Sequence, residues 1–116
     1  MKDNTPYRGL RCHVEPDRDR VIVRPVGEID LATVGVVDAP LGELWDSGFT
    51  AIVIDLRWVP FMDSTGLRML VRWSRRAQED GVDLRIEVPD DSQVHRLFEL
   101  TAMLDALPLV TGGGSR

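Results

Sequence analysis

The segment "TAIVIDL", residues 50–56, limits what this chain can fold into more than any other stretch. It is apolar on both faces until Asp55, the pattern of a central strand in a sheet with helices on either side. The segments around it alternate between strand and helix signals. From Leu10 to Glu15 and from Arg20 to Val26 the chain reads as two strands joined by "PDRD", a Pro/Asp turn signal, and so opens with an antiparallel hairpin. "GEIDLAT" breaks the second strand, with Asp30 or Thr33 placed to cap a helix over roughly 32–47. There Val34, Val37, Leu41, Leu44 and Trp45 keep an approximate helical spacing against the opposition of Gly35, Pro40 and Gly42.

The clearest helix runs from Thr65 to Asp80. Leu67, Leu70, Val71, Ser74 and Ala77 form one stripe, Arg68, Arg72, Arg75 and Arg76 lie opposite, and Gly81 stops it. "VDLRIEV" alternates as a strand, "DSQVHRLFELTAML" follows as a helix capped by Asp91 or Ser92, and "LPLV" is a candidate last edge strand. Strands separated by helices run parallel and are joined by crossovers. The expected architecture is therefore α/β: a mixed sheet of about four to five strands, begun by the antiparallel hairpin and covered by about four helices. Residues 1–116 read as a single domain, ordered over about 7–110, with flexible tails at 1–6 and 111–116.

Composition excludes several kinds of chemistry. No apolar run of 18 residues and no charged-then-apolar leader is present, so neither a membrane span nor a signal peptide is expected, and the expected compartment is the cytoplasm. A net charge of −5 argues against bulk attraction to nucleic acid or anionic lipid. Thirteen of the fourteen basic residues are Arg, and the one Lys is Lys2. Mechanisms that need an interior lysine, such as a P-loop or a Schiff base, lack their key side chain. Cys12 cannot form an internal disulfide. With Cys12, His13 and His95 as the only soft ligands no zinc-like spacing exists, and no cofactor or metal is expected.

In open α/β sheets the functional crevice lies beyond the carboxyl ends of the parallel strands. Two loops meet that description, "GEID" and "RWVPFMDST", and they bring Glu28, Asp30, Asp63, Ser64 and Thr65 to one rim. It is a cluster of oxygens without a base. A serine nucleophile needs a neighbouring general base and an oxyanion hole, but "MDSTG" is not a G-x-S-x-G elbow, and His95 lies on a later helix with no motif around it. Asp30 and Asp63 as a carboxylate pair have no phosphate-cradling loop beside them, and their positions suit helix capping. The hydroxyl reads better as a substrate. Ser64 starts a helix, where a phosphoryl group would be partly favoured by the helix and repelled by Asp63, changing the surface sharply at little structural cost.

The blocks "GEIDLAT", "AIVIDLRWVPFMDSTGLRMLVRWSRRAQEDGVDLRIEV" and "VHRLFELTAMLDALPLV" closely resemble the STAS domain of bacterial anti-sigma factor antagonists, over about residues 8–110 and in the family's order. The D-S-[ST]-G-L box is the specific part. The resemblance implies a non-enzymatic phosphoprotein of sigma factor regulation and partner switching, as in stress responses. By position Ser64 is the acceptor, with Thr65 second, for a partner anti-sigma factor that is an ATP-dependent serine kinase. The unphosphorylated form would bind that partner and free its sigma factor; a PP2C-type phosphatase would reverse the modification. ATP and Mg²⁺ would belong to the kinase. Asp30, matching the family's loop aspartate, would shape the recognition surface with Asp63, Thr65, Gly66 and Leu67.

Met69 and Trp73, four residues apart on the helix after the box, and Met62 before it are expected either to form an apolar contact area beside the switch or to rim the core. The arginines of that helix read as a solvated face rather than a nucleic-acid patch. A monomer or weak dimer is expected. Two other readings remain: a STAS subunit of another assembly, a stress-signalling or lipid-transport complex, with the box only structural; and a small carboxylate-dependent enzyme.

Overall fold

A computed structural model of the chain describes residues 9–104 and 106–110. The tails expected at 1–6 and 111–116 lie outside the described residues. Strand β1 (Leu10–Asp17) pairs antiparallel with β2 (Arg20–Gly27) through a turn at Arg18 and Asp19. Arg18 takes the left-handed conformation there, φ 65°. The first strand runs two residues further than the Pro/Asp signal implied. Pro16 sits in the ladder because β1 is an edge strand, where a missing N–H costs little.

Helix α1 (Val34–Asp46) forms despite Pro40 inside it, because Val37 and Leu41 are fully buried against the sheet. Strand β3 (Ala51–Asp55) lies parallel to β2, with Val21 opposite Ile52 and Val23 opposite Ile54. Helix α2 (Ser64–Asp80) ends at Gly81, whose φ of 72° is the left-handed cap that a glycine takes without strain. Strand β4 (Asp83–Glu87) adds beside β3, helix α3 (Gln93–Leu100) follows, and β5 (Leu109–Val110) completes the sheet parallel to β4.

Two expectations need correction. The described residues contain three α-helices, where about four were expected. The last ends at Leu100 rather than Leu104, because Ala102 turns left-handed at φ 59° and the Met103 N–H closes onto the Phe98 carbonyl. The strand order is β1-β2-β3-β4-β5, so each crossover steps the same way across the sheet. Right-handed crossovers in one direction put every helix on one face. Among the described residues the central strand is covered by helices on that side alone: Val23, Ile54 and Ile86 form a fully buried row, while Ile22, Val53 and Arg85 on the other side are half-buried or exposed.

The open face is laced with charge rather than apolar cover. Asp55 is buried there, with Oδ1 accepting from Arg57 Nε at 3.0 Å and Oδ2 from Arg24 Nε at 2.9 Å. Burial alone would raise its pKa, but the Arg57 and Arg24 guanidiniums outweigh that and hold the carboxyl below its ordinary value. Cys12 is half-buried, and loss of water pushes its thiol up to about 11, which leaves it unreactive.

Candidate functional site

Because β2 and β3 are parallel neighbours, the loops that leave their carboxyl ends emerge side by side. Backbone hydrogen bonds knit them together: Gly27 N–H donates to the Trp58 carbonyl (3.1 Å), Ile29 N–H to Phe61 (3.0 Å), and Asp63 N–H back to Ile29 (3.1 Å). The last two make a parallel bridge between Ile29 and Met62, both fully buried. The rim expected from the sequence is thereby assembled, with the Asp30 turn on one side and the Asp63–Thr65 turn on the other.

Each carboxylate caps a turn. Asp30 Oδ1 accepts from the N–H groups of Ala32 (3.0 Å) and Thr33 (3.2 Å), and the buried Thr33 hydroxyl ties the same turn to the Glu28 carbonyl at 2.8 Å. Asp63 is the N-cap of α2, its Oδ1 accepting from Thr65 N–H at 2.8 Å. Ser64 is the first residue of α2 and is exposed. Among the described residues its hydroxyl is met by Arg68 Nη1 at 3.5 Å, the outer limit of hydrogen bonding. His95, on α3, faces Glu99 Oε2 at 4.0 Å. The geometry offers a hydroxyl open to another protein and, among the described residues, no group to activate it from within.

The remaining box residues serve packing. Gly66 is buried where a Cβ would stand 2.6 Å from Met62 Cγ and 2.9 Å from Ile29 Cγ2, so the glycine lets α2 close onto the Ile29–Met62 bridge. Leu67 is 7% exposed. Met62, Met69 and Trp73 do not form an apolar contact area: they are 0%, 1% and 6% exposed. Trp73 faces α1, where its ring lies 4.8 Å from that of Trp45, its Nε1 donates to Asp38 at 2.7 Å, and Arg76 stacks over both indoles.

The apolar surface at the rim comes from residues the sequence reading passed over. Leu31 (79% exposed), Trp58 (57%) and Phe61 (39%) stand on the two knitted loops. Alternation about the bridge was the available signal for Phe61, which adjoins the inward-turned Met62, whereas Leu31 and Trp58 stand in turns where alternation says nothing. Gln93 was also missed. Its side-chain amide, at the start of α3, accepts from Met62 N–H at 2.9 Å and donates to the Met62 carbonyl at 3.1 Å, bracing the loop before Ser64. Among the described residues no group of three or more His, Cys, Asp or Glu is arranged to hold a metal ion, and no helix is long and apolar enough to cross a membrane.

This construction matches known proteins. The STAS domain model matches residues 13–111. The anti-sigma-B factor antagonist of Staphylococcus aureus is 31% identical over 90 residues, covering 78% of this chain and 82% of that protein. The anti-sigma-F factor antagonist RsfB of Mycobacterium tuberculosis is 34% identical over 108 residues, covering 84% and 87%. The crystal structure of an anti-sigma factor antagonist from Mycobacterium paratuberculosis superimposes with a TM-score of 0.74 at 25% identity, over 90% of this chain and 87% of that one. Proteins of this kind are regulators that bind other proteins rather than enzymes. A mixed five-stranded sheet with its helices on one face, two loops locked at the rim and a capped, exposed serine identify the chain as a member of the STAS domain family, alongside the anti-sigma factor antagonists.

Proposed function

We propose that this protein is an anti-sigma factor antagonist: its unphosphorylated form binds a serine-kinase anti-sigma factor in the cytoplasm, frees the sigma factor, and is switched off by phosphorylation of Ser64. The observation that carries the reading is the exposed Ser64 hydroxyl, with no internal base, on a rim that also presents Leu31, Trp58 and Phe61. Those side chains supply apolar area for a protein partner, with Asp30 and Thr65 on the rim beside them. A phosphate on Ser64 would add a charge of about −1.5 to −2 next to Asp63, in a surface the partner must strip of water. A PP2C-type phosphatase would reset the switch. Gly66 lets α2 close on the buried Ile29–Met62 bridge beneath this surface, and Leu67, Met69 and Trp73 are buried along the same helix.

The test is to mix the protein with ATP and the candidate anti-sigma kinases of its own genome and locate phosphate by mass spectrometry. Phosphate at Ser64, absent from Ser64→Ala, is the expected result. Transfer to no residue with any of these kinases would return the chain to the reading of a STAS subunit in another assembly.

A further inference from the structure

Along α2, starting one turn after Ser64, runs an open groove of about 740 Å³. Its floor is Leu67, Val71 and Met103, the last from the segment after α3. Four arginines line it, with Glu79 at its far end, and the arginines are not equivalent. Arg72 is held by Asp38, with Nη2 3.0 and 2.8 Å from the two carboxylate oxygens. Arg76 pairs with Asp80 at 3.5 Å and lies over the rings of Trp45 and Trp73. Arg68 and Arg75 have no carboxylate within 4 Å among the described residues. They stand seven residues apart, two helical turns, on the same side of an apolar strip. The stretch of α2 that lines the groove, Leu67 to Glu79, is about 18 Å long at 1.5 Å per residue, or some three turns.

Two available cations beside an apolar floor, on a chain of net charge −5, are complementary to a ligand that is apolar along one stripe and acidic along its edge. We propose that this groove receives an acidic amphipathic helix of the anti-sigma factor, its apolar stripe on Leu67, Val71 and Met103 and its carboxylates on Arg68 and Arg75. This rests on the reading of the chain as an antagonist. An apolar floor is the usual seat for a helix laid in a groove, and a methionine adapts its shape to what it meets. Nucleic acid fits less well, since its affinity comes from neutralising many phosphates and only two arginines of the groove lack a carboxylate partner among the described residues. The groove is also continuous with the switch. Arg68 reaches the Ser64 hydroxyl at 3.5 Å, so a phosphate there competes with the partner's carboxylate for the same guanidinium.

The experiment is calorimetric titration of the whole protein with the serine-kinase anti-sigma factors of its genome. The forms compared are wild type, Arg68→Glu/Arg75→Glu, Arg68→Gln/Arg75→Gln and Ser64→Asp, with folding checked by circular dichroism. Charge reversal is expected to weaken binding at least tenfold and to flatten its salt dependence. The glutamine pair, expected to lie between, keeps the test readable if reversal unfolds the chain. Wild-type affinity and salt dependence in both arginine pairs would overturn the groove, and with Ser64→Asp impaired the antagonist reading would stand without it. Wild type binding none of these kinases would overturn both. Binding of a duplex oligonucleotide or of oleate vesicles that disappears in the charge-reversed form would assign the groove to that ligand and overturn the proposal.

Discussion

Gln93 holds the backbone of Met62 by both of its polar groups, accepting from the amide at 2.9 Å and donating to the carbonyl at 3.1 Å across 31 residues of sequence. The third helix thus fixes the loop that delivers Ser64, although it contributes nothing to the box itself. Gln93→Ala should cost about 1–2 kcal/mol of stability. Gln93→Glu should restore only the accepting half, since a carboxylate has no N–H to give. Faster hydrogen exchange at the Met62 and Asp63 amides in both variants is the expected readout; unchanged protection would mean that the backbone ladder suffices.

Gly66→Ala places a methyl group 2.6 Å from Met62 Cγ, in the middle of a buried side chain, and 2.9 Å from Ile29 Cγ2, the methyl of a stiff β-branched one. The helix must lift or the bridge must shift, at a cost of about 1–3 kcal/mol. Thermal denaturation should show the loss, and binding at the rim should fall with it.

Ser64→Asp should behave oppositely. The site is exposed and begins a helix, where a negative charge is favourable by about 0.3–1 kcal/mol, offset by Asp63 beside it. Its melting temperature should stay within a few degrees of wild type while affinity for the kinase partner drops at least tenfold. Equal affinity would show that charge at this position is not the switch.

Leu31→Ser and Trp58→Ser remove apolar area that is mostly exposed. Stability should change by less than about 0.5 kcal/mol. Partner affinity should fall by about 1–2 kcal/mol for Trp58, the larger of the two anchors, when followed by titration calorimetry.

Acid should act on the open sheet face. The carboxyl of Asp55 titrates below its ordinary value of about 3.9, so the folded state binds fewer protons than the unfolded one near that pH. The stability that Asp55 contributes is therefore complete above about pH 4 to 5 and is lost as pH falls through its folded pKa. Asp55→Asn should destabilise the protein by about 1–2 kcal/mol at neutral pH, because Arg24 and Arg57 lose their shared buried anion and keep, among the described residues, only Glu15 and Glu87 at the surface. In urea titrations the gap from wild type should narrow as pH drops below 4.

What could be read from the amino acids was local. The alternation of β4, the stripe of α2, and the Asp63 and Gly81 caps are each decided within a few residues, and all appear at or within one residue of their expected bounds. The side on which the helices lie was not local. It follows from strand order and crossover hand, which no window of "TAIVIDL" contains. At the rim, residue type left two readings of Met62, Met69 and Trp73 open, contact area or core, and burial decides for the core: the Ile29–Met62 bridge and the packing of Trp73 on Trp45 turn inward. The same bridge leaves Phe61 outside, the Asp30 turn exposes Leu31, and Gln93 becomes meaningful only once α3 is placed against the loop.

The three tryptophans divide the molecule into two optical regions. Trp45 and Trp73 lie close enough, with centroids 4.8 Å apart under the Arg76 guanidinium, to act as a coupled pair whose near-ultraviolet dichroism follows the seam between α1 and α2. Trp58 stands alone on the rim, largely in water. A partner that covers the rim shifts the emission of one indole and leaves the dichroism of the other two untouched, so the unlabelled protein distinguishes docking from unfolding in a single cuvette.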